Sequence, residues 1–271
     1  MPPQSVPVSV IIPCYRCAST IERAVASVSC QTHKPAEVIL VDDASGDDTL
    51  AVLNRLALAN PELIKIVTLK ENGGAASARN AGWNSATQPY IAFLDADDAW
   101  HPKKIEIQYA YMSLHPEVTL SGHQHRIITQ PEKLPDWGIE SFQARPLSRS
   151  AMLLSNKLVT PSVMLNRDVP NRFFDGKRHV DDHLLWLELI CGGHKLVKLS
   201  AEMVSIYKLL FGVGGLSSQL WLMEKGELDT YKSLYDQDLI NIGLWFCLSL
   251  YSLLKFGRRL IIYWGYLRWK I

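Results

Sequence analysis

The residues of this sequence best placed to do chemistry are its carboxylates, which come in pairs and clusters. Asp95-Ala96-Asp97-Asp98 follows the apolar run 90–94. Oxygen donors with little His or Cys nearby suit a hard cation, Mg²⁺ or Mn²⁺, which keeps open positions for substrate phosphates. The cluster as a whole is the candidate ligand set. The plainer alternative is a solvated acidic turn, or a cap for a helix opened by Pro102. Asp42-Asp43 closes another apolar run, 37–41. Asp43 can accept the imide N–H of a pyrimidine while Tyr15 offers its ring as a stacking face; otherwise they are a turn residue and edge packing.

Gly73-Gly74 allows close backbone approach, and Arg79 follows on a helix, where its guanidinium can pair bidentately with a diphosphate. The absence of a Gly-Lys-Ser/Thr sequence excludes a P-loop. Pro13-Cys14-Tyr15 after the first apolar run excludes the GxGxxG dinucleotide fingerprint. Asp181-Asp182 opens an otherwise apolar helical segment. A carboxylate against an apolar wall has an adjustable pKa and can serve as a general base, whereas the simpler role is N-terminal capping. His179 and His183 are spaced like a zinc pair, but Val180 stands where a metalloprotease needs its glutamate. His123 and His125 share one strand face, structural or facing an acceptor. Cys14-Tyr15-Arg16-Cys17 is a lone CxxC, read as two buried or half-buried thiols in preference to a redox or zinc site.

These clusters need elements to position them. Residues 8–12 read as a buried strand, followed by a helix capped by Ser19 or Thr20. Strands at 37–41, 64–69 and 90–94 alternate with helices beginning near 45, 74 and 102, which implies parallel strands with helices on both faces. Ligands of such sheets bind beyond the carboxyl ends of the strands, where the Pro13–Tyr15, Asp43 and Asp95–Asp98 clusters all fall. The second half is less regular. Val118–Ile128 and 161–166 read as strands, 129–146 as a loop, and 179–191 as a buried helix.

The chain has 271 residues, 48% of them hydrophobic, enough for one full core. A net charge of +1 gives no reason to expect nucleic acid. Five cysteines in a chain of this size fit a reducing cytoplasm. The tail differs from the rest. Lys255, Arg258, Arg259, Arg268 and Lys270 follow the last acidic residue, Asp238, and leave the remainder four charges negative. The uncharged stretch 239–254 is shorter than the roughly 20 residues that span a bilayer. Trp245, Trp264 and Trp269 suit an interfacial belt, so the tail is expected to lie on a membrane surface; the competing possibility is a helical hairpin packed on the domain or on another subunit.

Five motifs in order resemble glycosyltransferase family 2: Val8 through Tyr15; Val41-Asp42-Asp43-Ala44-Ser45; Glu71-Asn72-Gly73-Gly74 through Gly82; Phe93 through Asp98; and Asp181-Asp182 with Leu185-Trp186. The resemblance covers residues 8 to about 210. It implies an α/β fold of the GT-A nucleotide-binding type, with a mostly parallel central sheet flanked by helices and a C-terminal helical tail. The GT-A domain would occupy 1–210 and a membrane-associating helical region 211–271.

By resemblance, Tyr15 and Asp43 bind the base, with Pro13 and Gly74 beside them. Arg79 lies near the phosphates, Asp97 and Asp98 form the metal motif for Mn²⁺ or Mg²⁺, and Asp182 deprotonates the acceptor. The expected reaction is inverting transfer of a single sugar from a nucleotide-diphosphate sugar, a UDP-sugar first of all. The acceptor is a saccharide or a lipid-linked saccharide of surface polysaccharide synthesis, at the cytoplasmic face of the membrane. A polyprenyl-phosphate sugar synthase and a non-catalytic nucleotide-sugar-binding protein are the alternatives. Asp181 replaces the family's usual glutamate, and the Gln-x-x-Arg-Trp motif of processive members is absent. Residues 212–218, rich in Gly and Ser, are expected to form a mobile loop near the acceptor.

Overall fold

The computed structural model describes residues 5–128, 138–139, 141–176, 180–207 and 220–269, with side chains placed through Ile261. The first half alternates as the sequence pattern requires: β1 (Ser5–Cys14), α1 (Ile21–Ser29), β2 (Lys34–Asp42), α2 (Thr49–Ala59), β3 (Ile64–Thr68), α3 (Gly74–Ser85) and β4 (Tyr90–Phe93). A two-residue β5 (Ala99–Trp100) and α4 (Lys104–Leu114) follow, then β6 (Val118–Ile128), β7 (Ala144–Pro146), α5 (Arg149–Leu154), a 3-10 turn (Thr160–Ser162) and β8 (Met164–Asn166). The chain continues with α6 (Asp181–Cys191), β9 (Lys195–Tyr207), α7 (Leu220–Asp236) and α8 (Ile242–Trp269).

The sheet order is β3-β2-β1-β4-β8-β6-β9-β5, with β7 on β9. The pairs β1–β2, β2–β3 and β1–β4 are parallel, as expected. Beyond β4 the sheet becomes mixed, since β8 runs antiparallel to both β4 and β6 while β6 and β9 are parallel. Side chains of β1 and β2 alternate between two cores, as the two-residue period of a strand demands. Ile11, Ile39 and Val41 face a core shared with α3 and α6. Val10, Ile12, Val38 and Leu40 face one covered by α1, α2 and α4.

Close packing fixes how near α3 lies to the sheet. A Cβ on Gly82 would lie 2.5 Å from Ile11 Cγ2 and 3.1 Å from Val41 Cγ2, so the helix sits on β1 and β2 at a distance only glycine permits. Gly74, at φ 85°, turns the chain into the helix. At the opposite end of the parallel strands, Glu37 accepts hydrogen bonds from Ser9, Thr87 and Lys65. Although burial alone would raise its pKa, these donors hold it at about 2.

Several local expectations change. Thr20 is the N-cap residue of α1, yet its hydroxyl donates to the Cys17 carbonyl and makes no capping bond. The strand expected at 161–166 begins only at Met164, because the chain first makes a 3-10 turn. Residues 144–146, expected in a loop, pair with β9.

The tail is a helical hairpin that lies against the domain. Tyr235 stacks on Trp245, Ser252 donates to Glu224, and Lys255 meets Glu227, so α7 and α8 run antiparallel. Tyr231, Leu234, Ile240 and Leu248 are buried in the same core as α6. The Tyr231 hydroxyl donates to the Leu153 carbonyl, and Arg149 donates to that of Leu239. The outer side of α8 stays exposed, with Ile242, Phe246, Leu250, Leu253, Leu254 and Ile261 on one apolar arc. Among the described residues, no helix is long and apolar enough to cross a membrane. The expected boundary at 210/211, the 212–218 loop and His179 lie outside the described residues, as do the side chains of Trp264 and Trp269.

Candidate active site

The carboxyl ends of β1, β2 and β4 meet at one edge. The register pairs Cys14 with Asp42, and the Asp43 N–H donates to the Cys14 carbonyl at 2.9 Å. Pro13 and Tyr15 therefore stand beside Asp43. Tyr15 is 45% exposed, with the Arg16 guanidinium 5.3 Å from its ring centre. Asp43 is buried, and its carboxylate accepts from the N–H groups of Gly73 and Gly74, each at 2.8 Å, and from Asn72 Nδ2 at 2.8 Å. These bonds satisfy two backbone donors at the start of α3. They also fix the glycine loop against β2.

Arg79 joins two acidic segments. Its Nη2 donates to Asp95 Oδ1 at 2.9 Å and its Nη1 to Asp181 Oδ2 at 3.1 Å, and the side chain is only 8% exposed. Both terminal nitrogens expected to meet a diphosphate are thus engaged by carboxylates. Burial of the guanidinium works against its charge, but the two carboxylates outweigh that cost and raise its pKa. The bridge holds the acidic turn after β4 to the N-terminus of α6.

Within the turn, Asp98 N–H donates to the Asp95 carbonyl. Asp97 is exposed, and its backbone carbonyl accepts from Arg23. Asp98 is 3% exposed, and its Oδ1 accepts from the Tyr207 N–H at 3.2 Å, which ties the turn to the end of β9. Among the described residues, no three His, Cys, Asp or Glu side chains converge as a closed metal cage. Mg²⁺ and Mn²⁺ do not require one, since such ions take one or two carboxylates and complete their shell with water and phosphate. An exposed carboxylate on an all-oxygen turn fits that donor chemistry.

Asp182 stands beside the bridge. Its Oδ1 accepts from the His183 N–H at 2.7 Å and its Oδ2 from Thr160 Oγ1 at 3.1 Å, with a longer contact to Asn156 Nδ2 at 3.4 Å. Burial raises the pKa of both Asp181 and Asp182, and the Arg79 charge opposes the rise. Val180, just before them, has φ 61° and ψ 25°, a left-handed conformation costly for a β-branched residue.

The other candidates are structural. His183 is buried, with Nε2 2.8 Å from the Met152 carbonyl. His123 is wholly buried, which favours its neutral form, and its Nδ1 is 2.7 Å from the Gln124 carbonyl. Cys14 and Cys17 are free, buried thiols. Thr160, Asn156 and the pairing of Arg79 with Asp95 and Asp181 escaped sequence reasoning, because no local pattern marks contacts made across the fold.

The sequence model for glycosyl transferase family 2 matches residues 9–165. An Escherichia coli relative, UDP-Glc:alpha-D-GlcNAc-diphosphoundecaprenol beta-1,3-glucosyltransferase WfaP, is 34% identical over 192 residues, covering 69% of this chain and 72% of that protein. The putative teichuronic acid biosynthesis glycosyltransferase TuaG of Bacillus subtilis is 31% identical over 228 residues, 84% of this chain and 88% of that one. Among solved structures, S. aureus TarS 1-349 in complex with UDP-GlcNAc aligns with a TM-score of 0.70 at 17% identity, covering 92% of this chain and 72% of that one. At that identity the likeness establishes a shared fold.

Proposed function

The chain belongs to glycosyl transferase family 2, and from that premise we propose that it transfers a single sugar, with inversion, from a UDP-sugar to a hydroxyl of a lipid-linked saccharide. The observation that carries this reading is the Arg79 bridge. By joining Asp95 to Asp181, it brings the acidic turn beside the start of α6, where Asp182 lies. The relatives supply the substrate class, since WfaP is named for UDP-glucose and a diphosphoundecaprenol-linked acceptor and TuaG for teichuronic acid synthesis.

In this reading Tyr15 stacks on the base and Asp43 accepts its imide N–H. Gly74 lets the backbone approach the donor, and Asp97 holds the divalent ion. When bound, that ion supplies positive charge to offset the charge growing on the departing diphosphate. Asp98, tied to β9, positions the turn. Asp182 takes the acceptor proton as the acceptor oxygen attacks the anomeric carbon from the face opposite the diphosphate. A single displacement inverts that carbon, so an α-linked donor gives a β-linked product. The exposed apolar arc of α8, beside Lys255 and Arg258, rests on the inner face of the cell membrane.

Incubating the protein with a set of nucleotide sugars and Mn²⁺, with and without a lipid-linked saccharide, tests the reaction. The reading expects UDP release from a UDP-sugar and a β-anomeric proton coupling in the product by NMR. An α-linked product would refute inversion, and transfer only to a bare lipid phosphate would indicate a polyprenyl-phosphate sugar synthase.

A further inference from the structure

A cleft of about 590 Å³ lies between the start of α6 and the α7–α8 hairpin. Asp182 and Asn156 line it from one side, and Lys255, Arg258 and Arg259 from the other. The three cations are spaced by three and four residues, so they are neighbours on α8. Acidic groups of the hairpin answer two of them: Lys255 meets Glu227 at 2.5 Å, and Arg259 meets Glu224 at 2.8 Å and Glu227 at 3.8 Å. Arg258 is exposed and makes no ion pair among the described residues. The buried Nε of Arg259 also has no hydrogen-bond partner among them. The wall facing Asp182 therefore carries one uncompensated guanidinium, that of Arg258.

An apolar surface begins where that charge sits. Leu254 precedes Arg258 by four residues and Ile261 follows it by three, which makes both its helical neighbours, and they are 66% and 75% exposed. A ligand matching this arrangement has three parts in order: a sugar hydroxyl, a phosphate group and an apolar chain. Arginine forks are suited to phosphate oxygens.

We propose that this cleft is the acceptor site, with the acceptor's phosphate or diphosphate held by Arg258 and Arg259, its sugar at Asp182 and its lipid chain along the α8 arc. The assignment rests on the transferase reading and adds to it the place and chemistry of acceptor recognition. The cations near Asp182 thus select acceptors whose anionic group lies next to the sugar.

The test uses the full chain in vesicle-free buffer with two probes, octyl-diphosphate-linked N-acetylglucosamine and octyl N-acetylglucosaminide, both below their micelle concentrations. Calorimetry is expected to give the diphosphate probe an advantage of about tenfold or more, the value of one charge-assisted contact. Arg258→Ala should remove most of that advantage, and Arg258→Glu should remove all of it. Thermal unfolding of each variant checks that it is folded. Equal binding of the two probes to the wild type overturns the proposal, as does a diphosphate advantage untouched in both variants. A third arm, phosphatidylglycerol vesicles without sugar, separates acceptor phosphate from headgroup phosphate. If Arg258→Ala loses only vesicle binding, the site is a headgroup contact and the proposal is wrong. UDP binding by the same preparation is scored separately: its absence defeats the transferase reading, whereas its presence without a diphosphate preference defeats only the acceptor site.

Discussion

Arg79 and Asp181 are 102 residues apart in sequence, yet their side chains meet at 3.1 Å inside the protein. Because the same guanidinium also holds Asp95, one side chain couples the turn after β4 to the start of α6. Replacing it with Met should leave two partly buried carboxylates without their cation, costing about 3–5 kcal/mol of stability. Lysine cannot span both partners, so Arg79→Lys should retain part of the stability and lose most of the activity. Urea unfolding and kcat/KM measured on both variants check this.

The carboxylate pair makes a pH prediction of definite sign. Both Asp181 and Asp182 have pKa values raised from 3.8 by burial. A base must be deprotonated to act, so kcat/KM should rise with pH through an apparent pKa above the ordinary aspartate value, one that belongs to the coupled pair. The raised pKa also means that these groups favour folding at pH below 3.8 and that this contribution is lost as pH rises through the folded value. Asp182→Asn should therefore be more stable than the wild type near neutral pH. Glu37 works the other way: its pKa of about 2 gives stability above 4.5 that is lost as pH falls through the folded value.

The parallel half of the sheet was legible because strands and helices alternate there with clear periods and each strand ends in polar residues. The half after β4 was not. The six residues of α5 are too few to display a helical period, and β5 has two. Residues 195–207 were not read as a strand at all, although β9 pairs with β5, β6 and β7. The sequence brought forward Asp43, Arg79, Asp97, Asp98 and Asp182 as candidates but could not show that Arg79 donates to the carboxylates of Asp95 and Asp181. In α8, apolar residues around most of the helix suggested lipid. The structure resolves them into a buried side, with Leu248 and Ser252, and an exposed arc.

That arc carries its own test. Phe246→Ser combined with Leu254→Ser should lower binding to phosphatidylglycerol vesicles about tenfold or more, since each substitution removes an exposed apolar side chain that burial in the interface would stabilise. Neither side chain is part of the buried core, so thermal stability should hold. Co-sedimentation with vesicles reads the first effect and thermal unfolding the second.

The two neighbouring aspartates of the turn should separate in their effects. Asp97→Ala removes an exposed carboxylate and should weaken Mn²⁺-dependent UDP binding with little change in stability. Asp98→Ala removes the acceptor of the Tyr207 N–H and should cost about 1 kcal/mol as well as binding, because it leaves a partly buried donor without that partner. Calorimetry with UDP in the presence and absence of Mn²⁺, paired with urea unfolding, distinguishes them.

The most direct test of the account is Asp182→Asn, assayed for sugar transfer and for UDP-sugar binding on the same preparation. The asparagine keeps the shape of the side chain and cannot accept the proton. Transfer should fall by about 10²–10⁴-fold, the usual contribution of a positioned base, while donor affinity stays within about twofold of the wild type. Undiminished transfer by the variant would contradict the account.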